Sequence, residues 1–170
     1  DNAALLHELC NFFDISVLSP RPSLSPKSWF DSSSARLSPR KVDERLNPSF
    51  VQVPYMPFLG TPANYLLMRM FLRKRVGRIV RKTGIDAIVC SWLYPDGCAM
   101  AAIARKLDVP IILITQGTDT HHYIHFPIRK KYILAAIEQS CAVISRSAAL
   151  RLLLEQAGAD ADKIHPIYNL

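Results

Sequence analysis

Short apolar blocks alternate with longer amphipathic segments over the second half of the chain. The blocks at 85–90, 110–115, 141–145 and 163–167 predict strands, and the segments 97–107, 128–139 and 147–157 predict helices. The block from Ile111 to Ile114 is apolar at every position, as expected of a parallel strand that helices cover on both faces. The alternation therefore predicts an α/β fold, a Rossmann-like domain with a doubly wound parallel sheet.

The first part of the chain is less regular. Its pattern predicts a helix over 1–9, a strand over 13–19 that ends at Pro20 and Pro22, and a second strand over 50–55. Residues 21–47 are rich in serine and proline and show almost no periodicity, so we expect a long surface loop over 21–49.

A strongly basic helix is expected to begin near Thr61 or Pro62. Its apolar residues recur three and four apart, at Leu66, Leu67, Met70, Phe71, Ile79 and Val80. Its basic residues, with no acid among them, are Arg69, Arg73, Lys74, Arg75, Arg78, Arg81 and Lys82, and Arg129, Lys130 and Lys131 form a second cluster. Such a face suits an anionic partner, and an ordinary solvated helix face is the alternative. Nucleic acid is disfavoured, because few aromatic residues lie among these charges.

Composition is that of one globular domain. The chain has 170 residues, 49% of them hydrophobic, and a formal net charge of +7. No apolar run approaches the ~20 residues that a membrane-spanning helix needs. Cys10, Cys90, Cys98 and Cys141 form no C-x-x-C pair, and three of them lie in or beside apolar runs. This favours buried structural thiols and a cytoplasmic setting over a disulfide or metal role.

Three loops follow the predicted strands at one edge of the sheet, where ligands of such folds bind. They are 91–97, 116–122 and 146–147. In the first, Pro95 and Asp96 suit the start of a helix. Trp92 and Tyr94 then either cover a capped turn or contact a ligand.

The second loop combines small and polar residues. Gly117 permits close approach of a ligand to the backbone, and Asp119 follows a buried strand. The carboxylate either meets a sugar hydroxyl or phosphate, or accepts local backbone N–H groups. His121, His122 and His125 resemble a metal motif only superficially, since no carboxylate or cysteine completes the set nearby, and we expect no metal.

In the third loop Ser147 is the expected N-cap of the following helix, and Arg146 is placed to reach an anion. Dinucleotide-binding, P-loop, zinc-protease and nucleophile-elbow motifs do not occur in the sequence.

The ordered set of loops resembles the amino-terminal domain of family-4 glycosyltransferases of the GT-B type. The residues that carry the resemblance are Trp92 to Gly97, Val109-Pro110 to Asp119, Cys141 to Leu150 and Lys163 to Asn169. The resemblance implies that residues 1–170 are an acceptor-side domain, cut before its first strand. It also implies that the carboxyl-terminal, donor-binding domain is absent from this chain. By itself such a fragment is expected to be inactive. Two positions depart from the family pattern, since Gln116 stands where histidine is common and Tyr168 where proline is usual.

The resemblance also implies the activity and its residues. The expected reaction is transfer of a sugar from a nucleotide-sugar donor to a glycan or lipid-linked acceptor with retention of configuration, without a cofactor. The expected catalytic residues are Gln116 and Asp119, and the expected substrate-binding residues are Trp92, Tyr94, Asp96, Gly97, Gly117, Thr118, His121 and Arg146. A non-catalytic sugar- or nucleotide-binding module of the same fold is the alternative, since Gln116 cannot exchange protons near neutral pH.

For enzymes of this kind the basic helix is a candidate membrane contact. Its cations Arg69, Arg73, Lys74, Arg78 and Arg81 are expected to hold the protein to anionic lipid, at the inner face of the membrane.

Overall fold

The computed structural model describes residues 2–24, 46, 48–56 and 63–168. The chain divides into two compact units, Asp1–Tyr55 and Met56–Leu170. Most of the predicted 21–49 loop and the predicted helix start at Thr61 or Pro62 lie outside the described residues, as do Asn169 and Leu170.

The first unit contains one helix and a pair of parallel strands. Helix α1 is Asn2–Leu9, strand β1 is Leu18–Ser23 and strand β2 is Ser49–Pro54. The predictions of α1 and β2 are confirmed. The predicted first strand over 13–19 is wrong at both ends, because β1 begins at Leu18 and ends at Ser23. Residues 21–23 therefore lie in β1 and not in the predicted loop.

Alternation of backbone groups explains why β1 tolerates two prolines. The carbonyl oxygens of Val17 and Ser23 accept from the amides of Ser49 and Tyr55, at 2.8 and 3.1 Å. In a parallel pair every second residue faces the partner strand, so the odd-numbered residues of β1 face β2. Pro20 and Pro22 are even-numbered, so their missing N–H groups fall on the side away from β2 and remove no ladder bond.

The second unit carries a four-stranded parallel sheet in chain order. Its strands are β3 Ile88–Ser91, β4 Ile111–Ile114, β5 Ala142–Ser145 and β6 Ile164–Pro166. One row across the sheet joins Cys90, Leu113, Val143 and Ile164, all of which are buried. This row forms the middle of the core and confirms the predicted parallel α/β architecture.

Helices connect and cover these strands. They are α2 Asn64–Thr83, α3 Cys98–Leu107, the short α4 Thr118–His121, α5 Pro127–Gln139 and α6 Ala148–Gln156. The predicted cap of α6 is confirmed, because the Ser147 hydroxyl accepts from the Leu150 amide at 3.2 Å. Helix α4 and a single 3-10 turn, Tyr123–His125, lie where the sequence predicts only a loop.

Candidate functional site

The loops that follow β3, β4 and β5 lie at one edge of the sheet. The Trp92 amide donates to the Ile114 carbonyl at 2.9 Å, and the Thr115 amide donates to Ile144 at 3.0 Å. The buried Thr115 hydroxyl accepts from the Arg146 amide at 3.2 Å. Parallel pairing thus brings together the three loops that the sequence marked as candidates.

The Asp119 carboxylate joins the first two loops from inside. It is fully buried. One oxygen accepts from the Leu93 amide at 2.8 Å, and the other accepts from the amides of Gln116 at 3.0 Å and Gly117 at 2.9 Å. Of the two readings left open by the sequence, the structure shows the carboxylate accepting backbone N–H groups, and it does so across the two loops.

The turn after β3 is tightly closed. Trp92 has a φ of 81°, in the left-handed region that side chains other than glycine seldom adopt. Its carbonyl accepts from the Gly97 amide at 2.8 Å, over a turn Leu93–Gly97 with a cis Tyr94–Pro95 peptide. A Cβ on Gly97 would lie 2.9 Å from the Trp92 oxygen and 3.3 Å from Leu113 Cδ2. Close packing therefore requires glycine at this position.

Aromatic rings form a cluster beside this turn. Tyr94 is buried, and its ring centroid lies 5.9 Å from that of Tyr123 and 6.4 Å from that of Tyr65. Tyr65 also packs on Tyr132, with centroids 4.3 Å apart, and burial together with the Tyr132 hydrogen bond raises the pKa of Tyr65 to about 12. Burial raises the pKa of Tyr94 as well.

The remaining predicted residues of the second loop lie nearer the surface. Gln116 is half-buried, and its side-chain amide donates to the Ser91 hydroxyl at 3.2 Å. Gly117 has a φ of 109°, with open space where a Cβ would project, so conformation rather than packing favours glycine there. Thr118 and His121 are exposed.

The three histidines after β4 diverge in their surroundings. All three are exposed, and His122 also packs edge-on against Phe126, with ring centroids 5.2 Å apart. Over residues 2–24, 46, 48–56 and 63–168, no group of three His, Cys, Asp or Glu side chains is arranged to hold a metal ion.

The cysteines divide into two pairs. Cys90 and Cys98 are buried, and burial raises the pKa of both thiols, which fits unreactive core residues. Cys10 and Cys141 are exposed, so the expectation of a buried thiol is wrong for Cys141, which precedes β5 rather than lying within it. All four are free thiols.

Asp96 is a carboxyl group within the turn after β3. Its half-buried carboxyl has a pKa raised to about 6, chiefly by burial and further by the nearby charge of Asp119. Since the usual value is 3.8, the folded protein holds this proton over a pH range in which the unfolded chain releases it.

Replacing Asp96 by asparagine is expected to flatten the pH dependence of stability. The folded pKa is raised, so the contribution of Asp96 is full below pH ~4 and is lost as pH rises through ~6. The free energy of unfolding of Asp96→Asn, taken relative to that of wild type, should therefore be about 1 to 3 kcal/mol higher at pH 8 than at pH 4. Urea unfolding at both pH values measures this, with the exposed Asp86→Asn as control. An equal difference at the two pH values would show that the Asp96 carboxyl is not desolvated.

The sequence matches the family described as Glycosyltransferase Family 4 over residues 11–170. The chain belongs to this family. The match confirms the resemblance drawn from the ordered loops, since it spans all three of them. No curated protein matches the sequence.

Solved structures agree on the fold. A crystal structure of Anabaena Alr3699/HepE in complex with UDP is similar with a TM-score of 0.52 and 18% identity, covering 74% of this chain and 31% of that one. The same protein in complex with UDP and glucose gives a TM-score of 0.53 and 19% identity, covering 74% and 32%. The family 4 chain thus spans less than a third of the length of that protein.

Two features of this family 4 site escaped the sequence patterns. The first is that Asp119 bonds to Leu93, which is 26 residues away in sequence. The second is the place of Arg129 beside the aromatic cluster, which its position in a basic run does not indicate. Both depend on tertiary contacts between loops, although the polar-aromatic composition of the segment 121–132 was a usable signal. No helix in the described part of the chain is long and apolar enough to cross a membrane.

Proposed function

We propose that the protein transfers a sugar from a nucleotide-sugar donor to a glycan or lipid-linked acceptor, with retention of configuration. The present chain is its acceptor-side domain. The observation that carries the proposal is the family match over residues 11–170, combined with a closed, polar and aromatic edge at the ends of β3, β4 and β5. A nucleotide-sugar donor is further supported by Anabaena Alr3699/HepE, which shares the fold and whose crystal structures contain UDP.

The site residues take different roles in this proposal. Asp119 is a positioning residue, because its buried carboxylate holds the backbone of both loops instead of facing solvent. Gln116 is the side chain that meets the reacting groups, where its amide hydrogen-bonds a substrate hydroxyl. Trp92, which is half-buried, forms a wall of the acceptor cleft, and the buried Tyr94 belongs to the aromatic cluster beside it.

The other predicted substrate-binding residues lie at the same edge of the sheet. Gly97 and Gly117 shape the two turns, and Thr118, His121 and Arg146 lie toward the opening of the cleft. The pKa of the Asp96 carboxyl is raised to about 6, which is close to neutral pH. Such a pKa suits a general acid or base.

The test of the proposal is a screen of the full-length protein against nucleotide-sugars with glycan and lipid-linked acceptors. We expect product with one donor, and an anomeric configuration that matches the donor by NMR. Tight donor binding without transfer to any acceptor would instead identify a non-catalytic binding module. An inverted product would contradict retention.

The basic helix supports a second element of the proposal, attachment to anionic lipid at the inner, cytoplasmic face of the membrane. Arg73, Lys74, Arg78 and Arg81 are exposed on α2, and Arg69 is half-buried. Leu66 and Met70 are exposed one turn apart on the same helix, at 46% and 52%. Cations flanking exposed apolar side chains are typical of helices that lie in a membrane interface.

Removing three charges from α2 should weaken vesicle binding. Each exposed Lys or Arg near an anionic surface contributes up to about 1 kcal/mol, so Arg73→Gln, Lys74→Gln and Arg78→Gln together should lower the partition coefficient about 100-fold. Sedimentation with vesicles that contain phosphatidylserine measures this, and the double variant Arg105→Gln and Lys106→Gln on α3 is the control for loss of charge elsewhere on the surface. Equal binding of wild type to neutral vesicles would show that the charges of α2 do not hold the protein to the membrane.

A further inference from the structure

Arg129 occupies an unusual place at the start of α5. Its guanidinium carbon lies 4.3 Å from the ring centroid of Tyr123, 4.8 Å from that of Phe126 and 5.6 Å from that of Tyr94. Three rings from two loops therefore surround one cation, at the edge of the sheet that carries Asp119. Such packing fixes the guanidinium in a defined orientation.

This cation has no counter-ion in the described part of the chain. Arg129 is half-buried, and its Nε is shielded from solvent without a hydrogen-bond acceptor. Among the described residues no carboxylate forms an ion pair with it. Aromatic faces compensate part of the lost hydration, but they do not accept the in-plane N–H groups of the fork.

The helix that carries Arg129 adds to the positive potential. The first turn of α5 contains no acid and has Pro127 in its first positions, and its cap residue Phe126 offers no side-chain acceptor. Lys130 and Lys131 follow directly. Cations at a helix N-terminus oppose the helix dipole, so their placement costs stability unless an anion is bound.

We propose that Arg129 is the centre of a phosphoryl-binding subsite, with the guanidinium fork donating to the phosphoryl oxygens and Tyr94 and Tyr123 holding it in place. The subsite borders the cleft assigned to the acceptor, and its role in transfer rests on the proposed function. The planar fork matches phosphate geometry in two parallel hydrogen bonds, which a lysine does not reproduce. The phosphoryl group belongs either to a phosphate-bearing acceptor or to the nucleotide.

Titration calorimetry of the full-length protein with inorganic phosphate tests the subsite without any sugar transfer. Wild type is expected to bind with a Kd on the order of 1 mM, and Arg129→Gln to bind about tenfold more weakly. Arg129→Lys keeps the charge and stem but loses the fork, and should fall between the two. The control Arg105→Gln, exposed on α3, should match wild type.

Two further probes identify the source of the phosphoryl group. If Arg129→Gln loses affinity for hexyl phosphate but not for UDP, the subsite belongs to the acceptor. If it also loses affinity for UDP, the subsite belongs to the nucleotide. Unchanged binding of all three probes in Arg129→Gln and Arg129→Lys, with circular dichroism showing both folded, would overturn the subsite. Because these titrations contain no donor sugar, an absence of glycosyl transfer leaves their result intact and counts only against the proposed function.

Discussion

Asp119→Ala should lower the free energy of unfolding by about 4 kcal/mol. The substitution removes the acceptor for three backbone amides, those of Leu93, Gln116 and Gly117, in a site where the carboxylate is fully buried. Each buried donor left unsatisfied costs about 1 to 3 kcal/mol. Asp119→Asn should cost about 2 kcal/mol, because one oxygen is kept while the new NH₂ group faces the N–H of Leu93 or of the second loop.

Urea unfolding monitored by tryptophan fluorescence measures both variants. The exposed Asp86→Ala, a change of the same chemistry away from the site, should stay within about 0.5 kcal/mol of wild type. Hydrogen exchange of the Leu93 and Gly117 amides should speed up in Asp119→Ala before global unfolding. If Asp119→Ala lies within about 1 kcal/mol of wild type, another contact joins the two loops.

Gly97→Ala should lower stability by about 2 kcal/mol. The added methyl lies 2.9 Å from the Trp92 carbonyl oxygen, which is backbone and already closes the turn through the Gly97 amide. Relief requires a shift of the Trp92 backbone or of Leu113 in the core, and overpacking of this kind costs about 1 to 3 kcal/mol.

A second glycine-to-alanine change provides a control of opposite sign. At Gly77 in α2 the methyl would lie 3.4 Å from Arg81 Nη1, the far end of a flexible side chain. Gly77→Ala should therefore gain up to about 1 kcal/mol from helix propensity. Thermal unfolding compares the two variants, and a Gly97→Ala protein as stable as Gly77→Ala would show that the turn after β3 has room to relax.

The arrangement of the sheet was predictable because its signal is local. The residues of β4, for example, are apolar throughout. The cap at Ser147 depends on the amide of Leu150, only three positions away. The carboxyl ends of parallel strands must share an edge, so the order of the strands alone groups the three loops.

The details that failed depend on partners distant in sequence. The position of β1 is fixed by the register with β2, which places Pro20 and Pro22 where their lack of an N–H does not matter. The role of Asp119 is decided by its hydrogen bond with the Leu93 amide. The surroundings of Arg129 are formed by aromatic rings from two separate loops. No spacing rule along the chain encodes these contacts.

The most direct test of the central claim, that this edge is the acceptor side of a sugar-transfer site, is the kinetics of Trp92→Ala in the full-length protein. With the donor and acceptor identified by the screen, the acceptor KM should rise about tenfold while the donor KM changes less than about twofold. Leu152→Ala, an exposed apolar position on α6, should leave both constants unchanged. A rise in the donor KM with the acceptor KM unaltered would contradict the assignment.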